Sequence, residues 1–382
     1  MTTRLLLLTP HFAPERGGVP RLLTTIVNHS DASDFEWRVI TTASLSRGAQ
    51  TAEVPDGVSR DEREHQNGRD GLTNFVTRAS STRDLVRLAI GQPAWLRRGT
   101  ADRVVCGHPY FAPVAAAVGA RLRIPVVGLA YGRELVPTRL VHHGALAALR
   151  TSRTVVTISG RSAEEVAARG VSRRRIAIVH PTLPTAWPTI RPAAREMSEP
   201  LRLVHISRLA EGYKNFEITI RAAGILGRRN AIESLTIVGD GPRRASLVAL
   251  ARATGSDPYI RFVGSVNDDR LSKLLRRMHL GVFPSRESIA EGGFEGFGLV
   301  VHELAASGVP VVAGAVAGTI DALDPAWSIG IDPDDLFAWV RTIEQLGADE
   351  PRRAAMVEAG LAFGVRINCA DTARAYCEAI VA

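Results

Sequence analysis

The chain has 382 residues, three cysteines, 45% hydrophobic residues and a mean hydropathy near zero. This length exceeds what one hydrophobic core usually supports, so the composition predicts a soluble globular protein of two domains. The apolar run from Leu5 to Leu8 is too short for a signal-peptide core or a membrane-spanning helix, and it predicts a buried strand. The cysteines (Cys106, Cys369 and Cys377) lack metal-ligand spacing and are odd in number, which predicts a reduced cytoplasmic setting.

The positive charge is concentrated in the first half of the chain. Residues 1–190 hold 25 arginines against 15 acidic residues, a net of +10, whereas residues 191–382 hold 22 basic against 24 acidic residues, a net of −2. No helix-turn-helix, RNP or zinc pattern accompanies this charge, so nucleic-acid binding is not predicted. Two interpretations remain open: a basic face for an anionic acceptor or an anionic membrane, and an ordinary solvated surface in an arginine-rich chain.

Short apolar runs alternate with helical or loop segments in the first half. Strands are predicted at 4–9, 36–42, 103–107, 125–130, 154–159 and 176–180. The polar stretch 46–71 shows little periodicity and is predicted to be a mobile excursion from the sheet. Five prolines follow at 181, 184, 188, 192 and 200, and they mark a linker.

The same alternation restarts after the linker. Strands are predicted at 201–206, 234–239, 259–264, 280–284 and 310–314, and helices near 215–228, 242–253, 268–278 and 298–307. Strand–helix alternation in both halves predicts two doubly wound α/β domains. No short-period repeat is present, which argues against solenoids and propellers.

The segment from Phe283 to Glu303 is the most informative part of the chain. It places two carboxylates eight residues apart, Glu295 and Glu303, around the glycine-flanked turn EGFGL at 295–299. The turn follows a predicted strand and begins a helix, so it lies at the strand's carboxyl end, where open α/β sheets bind ligands. Glycines there let backbone N–H groups approach an anion at a helix N-terminus, and the carboxylates accept hydroxyl protons. The segment therefore predicts a nucleotide-sugar site.

This segment resembles the E-x7-E signature of retaining glycosyltransferases of the GT-B fold, family 4, whose turn also reads EGFGL. The resemblance covers nearly the whole chain, but only a few short sequence motifs are specific to the family. It implies a GT-B architecture, in which two doubly wound Rossmann-like domains face each other across a cleft. Residues 1–187 would form the acceptor-side domain, with a C-terminal helix at about 368–382 packing back on it, and residues 195–367 would bind the nucleotide sugar.

The resemblance implies a role for each matching residue of the second domain. Glu295 would hold hydroxyls of the donor sugar and Glu303 would hold the ribose, with the turn residues Gly296, Phe297, Gly298 and Leu299 lining the donor. Arg208 and Lys214 would hold the diphosphate and stabilise the negative charge of the leaving nucleoside diphosphate. The arginine would contact the phosphate oxygens through its planar, forked guanidinium, and the lysine would act as a point charge. Lys214 stands six residues after the arginine, whereas the family's usual spacing is five.

The strand end carrying Phe262 and Val266 resembles the one that lies beneath the nucleotide base in relatives, although an ordinary strand core explains these residues equally well. In the first domain, Gly17 and Gly18 would close over the donor phosphate because a β-carbon would block that approach, with a plain turn as the alternative. His108 is the best match to the family's histidine near the reacting carbon. Many relatives carry a histidine where Tyr131 stands here, so a buried structural role for His108 stays open.

No metal and no cofactor are expected. The pair Asp268 and Asp269 matches the acidic start of a helix, which the helix dipole favours, and a convincing DxD motif is missing. The segment 286–293 is longer than in many relatives and is predicted to be either a flap over the donor or a tolerated loop.

The sequence thus predicts a metal-independent retaining glycosyltransferase of the hexosyltransferase type. It would move a sugar from a UDP- or GDP-linked donor to a glycan, lipid-linked or small-molecule acceptor, without nucleic acid as a partner. The expected location is cytoplasmic, with weak peripheral contact at the inner membrane face through an anionic acceptor or leaflet. Two alternatives remain: a GT-B nucleotide-sugar epimerase or hydrolase, which would need further carboxylates near the anomeric carbon, and an inactive sugar-nucleotide-binding protein.

Overall fold

A computed structural model describes residues 2–12, 17–42, 75–79, 97–136, 140–183 and 200–382. The chain divides into two compact units, Met1–Pro184 together with Asn368–Ala382, and Thr185–Ile367. The sequence prediction placed these domains at 1–187 with 368–382 and at 195–367. The predicted excursion at 46–71 and most of the proline-rich linker lie outside the described residues.

The first unit is built on a seven-stranded parallel sheet with the order β3-β2-β1-β4-β5-β6-β7. Its strands are β1 Thr3–Thr9, β2 Phe35–Thr42, β3 Phe75–Ala79, β4 Arg103–Cys106, β5 Val126–Ala130, β6 Thr154–Thr157 and β7 Ile176–Ile178. The described helices are α1 Gly18–His29, α2 Ala112–Leu122, α3 Leu140–Ala148 and α4 Gly160–Ala168.

The four-leucine run predicted as a buried strand is the centre of β1. Leu5, Leu6, Leu7 and Leu8 are each at most 1% exposed because β1 lies inside the sheet, between β2 and β4. Strands of a parallel sheet are covered on both faces, which explains a continuous apolar run rather than an alternating one. Each fully buried leucine contributes roughly 1.5–3 kcal/mol through the hydrophobic effect.

The C-terminal helix, α11 (Cys369–Val381), belongs to the first unit. The Tyr376 hydroxyl donates to the carbonyl of Val179 at 2.8 Å, and the Arg103 guanidinium donates to the carbonyl of Val381 at 3.2 Å. The three cysteines are free and buried. Burial raises the pKa of Cys106 and of Cys377 to about 12, so both thiols stay protonated at neutral pH.

The second unit is built on a six-stranded parallel sheet with the order β10-β9-β8-β11-β12-β13. Its strands are β8 Leu201–Ile206, β9 Ile232–Val238, β10 Ile260–Gly264, β11 Leu280–Phe283, β12 Val311–Gly314 and β13 Ser328–Ile331. Its helices are α5 Phe216–Arg228, α6 Arg244–Ala253, α7 Asp268–Leu275, α8 Leu299–Ala306, α9 Leu336–Ala348 and α10 Glu350–Arg366.

No bounds were predicted for the helices α1–α4 of the first unit, and four further elements were not predicted from the sequence. Two are the short edge strands β3 and β13, each with one sheet neighbour. β13 is only four residues long and contains Gly330, so its apolar pattern is weak. The other two are the helices α9 and α10. The predicted strand at 154–159 ends early at Thr157, because the Ser159 hydroxyl already caps α4 by accepting from the backbone N–H of Ser162.

Two glycines bring the loops after β8 and β9 into close contact. Gly239 has a φ of 130°, and a β-carbon there would overlap the carbonyl oxygen of Ser207. A β-carbon at Gly241 would overlap the carbonyl oxygen of Leu209. Only glycine allows this approach, which fixes the loop after β8 at the carboxyl edge of the sheet.

Candidate functional site

The EGFGL turn lies between β11 and α8 at the carboxyl edge of the second sheet. Gly298, with a φ of 92°, is the N-cap of α8, and such a φ is readily adopted only by glycine. The backbone N–H of Gly318, in the loop after β12, donates to the carbonyl of Glu295 at 3.1 Å. A β-carbon at Gly318 would overlap the carbonyl oxygen of Gly296. The loop after β12 therefore holds the turn from one side.

Lys214 and Glu295 form an ion pair between Nζ and Oε2 at this turn. The two side chains are 12% and 16% exposed, so water screens the pair much less than it would on the surface. The hydroxyl of Ser285 lies 3.5 Å from the same carboxylate oxygen. Burial lowers the pKa of Lys214, but Glu295, Tyr213 and Glu211 together outweigh burial and hold this pKa above its ordinary value. Lys214 is therefore a fixed cation at neutral pH.

Lys214 is positioned by the short 3-10 helix Gly212–Lys214 and its neighbours. The backbone N–H of Arg286 donates to the carbonyl of Tyr213 at 2.8 Å. Asn215 adopts a left-handed φ of 51°, and its side-chain amide donates to the carbonyl of Pro333 at 2.7 Å. These contacts from two other loops set where the ammonium group lies.

The segment 286–293 contacts the Lys214 turn directly. The Arg286 guanidinium pairs with Glu291 at 2.6 Å and with Asp334 at 2.8 Å. A β-carbon at Gly212 would lie 2.8 Å from the Cβ of Glu291, so the two turns pack closely. The segment that the sequence left open as a flap or a tolerated loop thus supports the Lys214 turn in this structure.

Arg208 is the second residue of the loop that follows β8 and pairs with Glu211 at 2.9 Å. The guanidinium is 69% exposed, whereas the Glu211 side chain is only 4% exposed. Arg243, after β9, donates to the backbone carbonyl of Glu211 at 3.2 Å. A buried carboxylate therefore orients an arginine whose donors reach solvent at the sheet edge.

Glu303 and the other residues predicted to contact a donor are distributed along this edge. Glu303 lies in α8, is partly buried, and accepts the Ser307 hydroxyl through its backbone carbonyl at 2.8 Å. Phe297 is 2% exposed and contacts His302 edge-to-face, with 5.1 Å between ring centroids. Phe262 and Val266 are partly buried at the end of β10, which β9 separates from β8. The structure thus joins Lys214 to Glu295 directly and places Phe262 and Val266 farther along the edge.

His108 follows β4 at the carboxyl edge of the first sheet. Its Nδ1 accepts from the backbone N–H of Tyr110 at 3.3 Å, which places the ring proton on Nε2. Burial lowers the pKa of His108 to about 3, so the ring is neutral at neutral pH. The His11 ring lies 5.3 Å away, and Tyr110 stacks on His142 at 4.0 Å. His108 is therefore a neutral N–H donor within an aromatic cluster.

Two other positions of the first unit bear on the sequence predictions. Gly17 has a φ of 149° and is the N-cap of α1, which Gly18 begins, while residues 13–16 of the same loop lie outside the described residues. Tyr131 is buried, and its hydroxyl donates to the carbonyl of Gly107 at 2.8 Å. Tyr131 therefore braces the backbone next to His108.

The acidic pair and the helices of the described residues bear on metal binding and membrane insertion. Asp268 and Asp269 form the first turn of α7 behind the Asn267 cap. Across the described part of the chain, no group of three or more His, Cys, Asp or Glu side chains could hold a metal ion. None of the helices described combines the length and apolar character that a membrane crossing requires.

Sequence reasoning missed several residues that shape this site. Glu211 stands between Arg208 and Lys214 in the sequence, but only the structure identifies it as the buried partner of Arg208. Ser285 lies within the segment from Phe283 to Glu303, but the sequence assigned it no role. Gly239 ends the strand predicted at 234–239 and Gly241 follows it, a spacing that signals a close backbone approach. Gly318 belongs to a distant loop and carries no local signal.

Residues 200–349 match the sequence model of the family Glycosyl transferases group 1. The D-inositol 3-phosphate glycosyltransferase of Salinispora arenicola is 34% identical over 152 residues, 37% of this chain and 32% of that protein. Glycogen synthase of Mycobacterium tuberculosis is 30% identical over 223 residues, 57% of this chain and 51% of that protein. The chain thus spans between about a third and a half of these curated relatives.

The fold is shared with solved structures over nearly the full length. HepE from Anabaena, solved in complex with UDP, superposes with a TM-score of 0.72 at 15% identity, covering 98% of this chain and 99% of that one. Sucrose-phosphate synthase from Thermosynechococcus elongatus superposes with a TM-score of 0.72 at 16% identity, covering 98% of both chains. Together with the two parallel-sheet α/β units, this likeness establishes the GT-B fold, as predicted.

A buried histidine beside the site generates a pH prediction. His205, at the end of β8, stacks on Phe216 with 4.1 Å between ring centroids, and its Nδ1 lies 3.3 Å from the Thr219 hydroxyl. Burial, with a smaller contribution from Lys214, lowers the pKa of His205 to about 3, against an ordinary value near 6.5. Below pH 6.5 the unfolded chain takes up a proton that the folded chain refuses, so stability falls as the pH falls from 6.5 towards 3.

We expect His205 to lower the free energy of unfolding by at most about 1.4 kcal/mol for each pH unit as the pH falls from 6.5 towards 3. Calorimetric melting at pH 7.5, 6.5 and 5.5 should show a shallower pH dependence in His205→Gln than in the parent. His143→Gln, at an exposed position of α3, should keep the parent's slope. Equal slopes in all three proteins would mean that His205 is not held neutral.

Proposed function

We propose that this chain, whose residues 200–349 match the sequence model of the family Glycosyl transferases group 1, is a retaining glycosyltransferase that uses a UDP- or GDP-linked sugar. The Lys214–Glu295 pair at the EGFGL turn carries the proposal. It sets a fixed cation beside a carboxylate, which suits a phosphate and the hydroxyls of the sugar attached to it. Support for the donor class comes from a relative named as a GDP-mannose-dependent mannosyltransferase and from HepE structures with UDP and UDP-glucose.

Lys214 and Arg208 would hold the donor diphosphate. Lys214 is a buried point charge, and Arg208 offers an exposed planar fork oriented by Glu211. When the sugar–phosphate bond breaks, negative charge grows on the departing phosphate. Cations fixed in advance at that position stabilise the transition state more than the ground state.

Glu295 and Glu303 would bind the two polyol parts of the donor. Glu295, beside the phosphate-binding lysine, would accept hydrogen bonds from the sugar, while Glu303, farther into α8, would accept from the ribose. The backbone of Gly296, Phe297, Gly298 and Leu299 would line the donor at the helix N-terminus, where the dipole favours negative charge. Phe262 and Val266, at the end of β10, would contact the base.

The resemblance implies a role for three residues of the first unit, Gly17, Gly18 and His108. Gly17 and Gly18 would close over the donor phosphate, and the neutral His108 would donate from Nε2 to the sugar or the transition state. The bond between the anomeric carbon and the phosphate oxygen breaks while the acceptor oxygen bonds that carbon from the same face. The acceptor's proton passes to the departing phosphate, so no protein base is needed.

The acceptor would be an anionic or lipid-linked glycan, with a small molecule as the alternative. The excess positive charge of residues 1–190 would attract an anionic acceptor or leaflet by roughly 1 kcal/mol for each well-placed arginine near the surface. Weak, reversible contact at the cytoplasmic membrane face would follow.

A thermal-shift panel of UDP-, GDP-, ADP- and dTDP-sugars tests the proposed donor class. A ligand that binds only the folded protein raises its melting temperature by mass action. We expect a UDP- or GDP-sugar to do so and to be consumed when acceptors are supplied. Consumption of the donor without any acceptor would favour a hydrolase or an epimerase, and a panel without any shift would refute the proposal.

Lys214→Ala should lower turnover about 10²–10³-fold, the usual loss when one transition-state electrostatic contact is removed. The only other lysine, Lys273, is exposed on α7, and Lys273→Ala is the matched control that should keep parental turnover. Both variants are assayed by steady-state transfer with the donor found in the panel. Turnover of Lys214→Ala within a few-fold of the parent would remove Lys214 from the diphosphate site.

Transfer activity should survive chelation, because we propose that two cationic side chains act on the diphosphate. The measurement is the initial rate before and after EDTA treatment and desalting. A rate within twofold of the untreated enzyme is expected. Complete loss that Mn²⁺ or Mg²⁺ restores would contradict the proposal and direct attention to Asp268 and Asp269.

A further inference from the structure

Glu295 lies close enough to the proposed phosphate position to influence which anion binds there. Its carboxylate touches the ammonium of Lys214, and both side chains are largely buried. A phosphate oxygen bound by that ammonium would lie about 3 Å from Nζ. The carboxylate and the phosphate would thus be near neighbours with little water between them to screen their repulsion.

The charges around this position do not compensate for that repulsion. Arg208 pairs with the buried Glu211, and Lys214 pairs with Glu295, so these four groups carry two positive and two negative charges. The balanced set gives no excess attraction for the most highly charged anion. Small differences in ligand charge near Glu295 therefore have a large effect.

The donor and the nucleotide released from it differ at this very point. In a nucleotide sugar the β-phosphate is esterified to the sugar and carries one negative charge, and the sugar hydroxyls can donate to Glu295. In a free nucleoside diphosphate the terminal phosphate ionises a second time near pH 6, so it approaches two charges at pH 7. It also brings no sugar hydroxyl to satisfy the carboxylate.

We propose that Glu295 makes the site prefer the intact nucleotide sugar over the free nucleoside diphosphate, and thereby promotes release of the spent nucleotide. This inference rests on the proposed function and deepens it. Sugar binding satisfies the carboxylate, whereas loss of the sugar leaves it facing an added negative charge. The same residue thus favours the substrate and disfavours the product.

Two simpler roles for Glu295 make different forecasts. If Glu295 only held Lys214 in place, removing its charge would weaken the substrate and the product alike. If it only bound sugar hydroxyls, the change would weaken the substrate and leave the product's affinity unchanged. Only repulsion predicts that the product binds more tightly once the charge is gone.

The experiment is titration calorimetry on the full chain with UDP and UDP-glucose, and with GDP and GDP-mannose. Glu295→Gln keeps the side-chain size and removes the charge, so it should bind the active nucleoside diphosphate about tenfold more tightly than the parent. That factor corresponds to 1.4 kcal/mol of relieved repulsion. Inhibition of transfer by the same diphosphate should strengthen by a similar factor.

Two further variants separate charge from fold. Glu295→Asp retains the charge and should retain most of the preference for the sugar nucleotide. Glu303→Gln, in the helix α8 that follows the turn, should weaken both ligands by a similar factor because both contain the ribose. Melting curves of each variant confirm that it is folded.

The outcomes separate this inference from the proposed function. Diphosphate affinity that is unchanged or lower in folded Glu295→Gln, while the parent binds the sugar nucleotide, overturns the inference and leaves the proposed function standing. A parent that binds none of the four ligands contradicts the proposed function itself.

Discussion

The ion pair between Lys214 and Glu295 is the interaction on which the site depends. It joins the turn after β8 to the turn after β11, so two neighbouring strands of the second sheet deliver one cation and one carboxylate to the same point. Removing one partner of a largely buried pair leaves an uncompensated charge, at a typical cost of about 3–5 kcal/mol. This pair therefore couples the local fold to the chemistry of the site.

Close backbone contacts fix the positions of the two turns that carry Lys214 and Glu295. The loop after β8 packs directly against Gly239 and Gly241, and the EGFGL turn packs directly against Gly318. A β-carbon at any of these three glycines would collide with a carbonyl oxygen of the neighbouring segment. Arg286 adds a third support by linking the segment 286–293 to the lysine turn through Tyr213. The charged groups lie on short turns whose positions are set by backbone atoms, which limits the reorganisation needed during a reaction.

The sequence predicted the two parallel α/β units well because buried central strands such as β1 carry continuous apolar runs. It missed β3 (FVTRA) and β13 (SIGI), in which polar or glycine residues interrupt a short apolar run, and it also missed α9 and α10. Glu295 and Lys214 were predicted separately, as sugar-binding and diphosphate-binding residues, and the structure brings them into contact. Their separation of 81 residues gives no local signal of this. Glu211 and Gly318 were not found, since burial and close approach appear only in three dimensions.

A crystal structure of the protein with a bound UDP- or GDP-sugar would test the roles of Lys214 and Glu295. We expect Lys214 Nζ to lie within hydrogen-bonding distance of a diphosphate oxygen and Glu295 to accept from a hydroxyl of the sugar. Glu303 should contact the ribose in the same complex. A sugar nucleotide bound away from the carboxyl edge of the second sheet, with Lys214 touching only Glu295, would show that these roles are wrong.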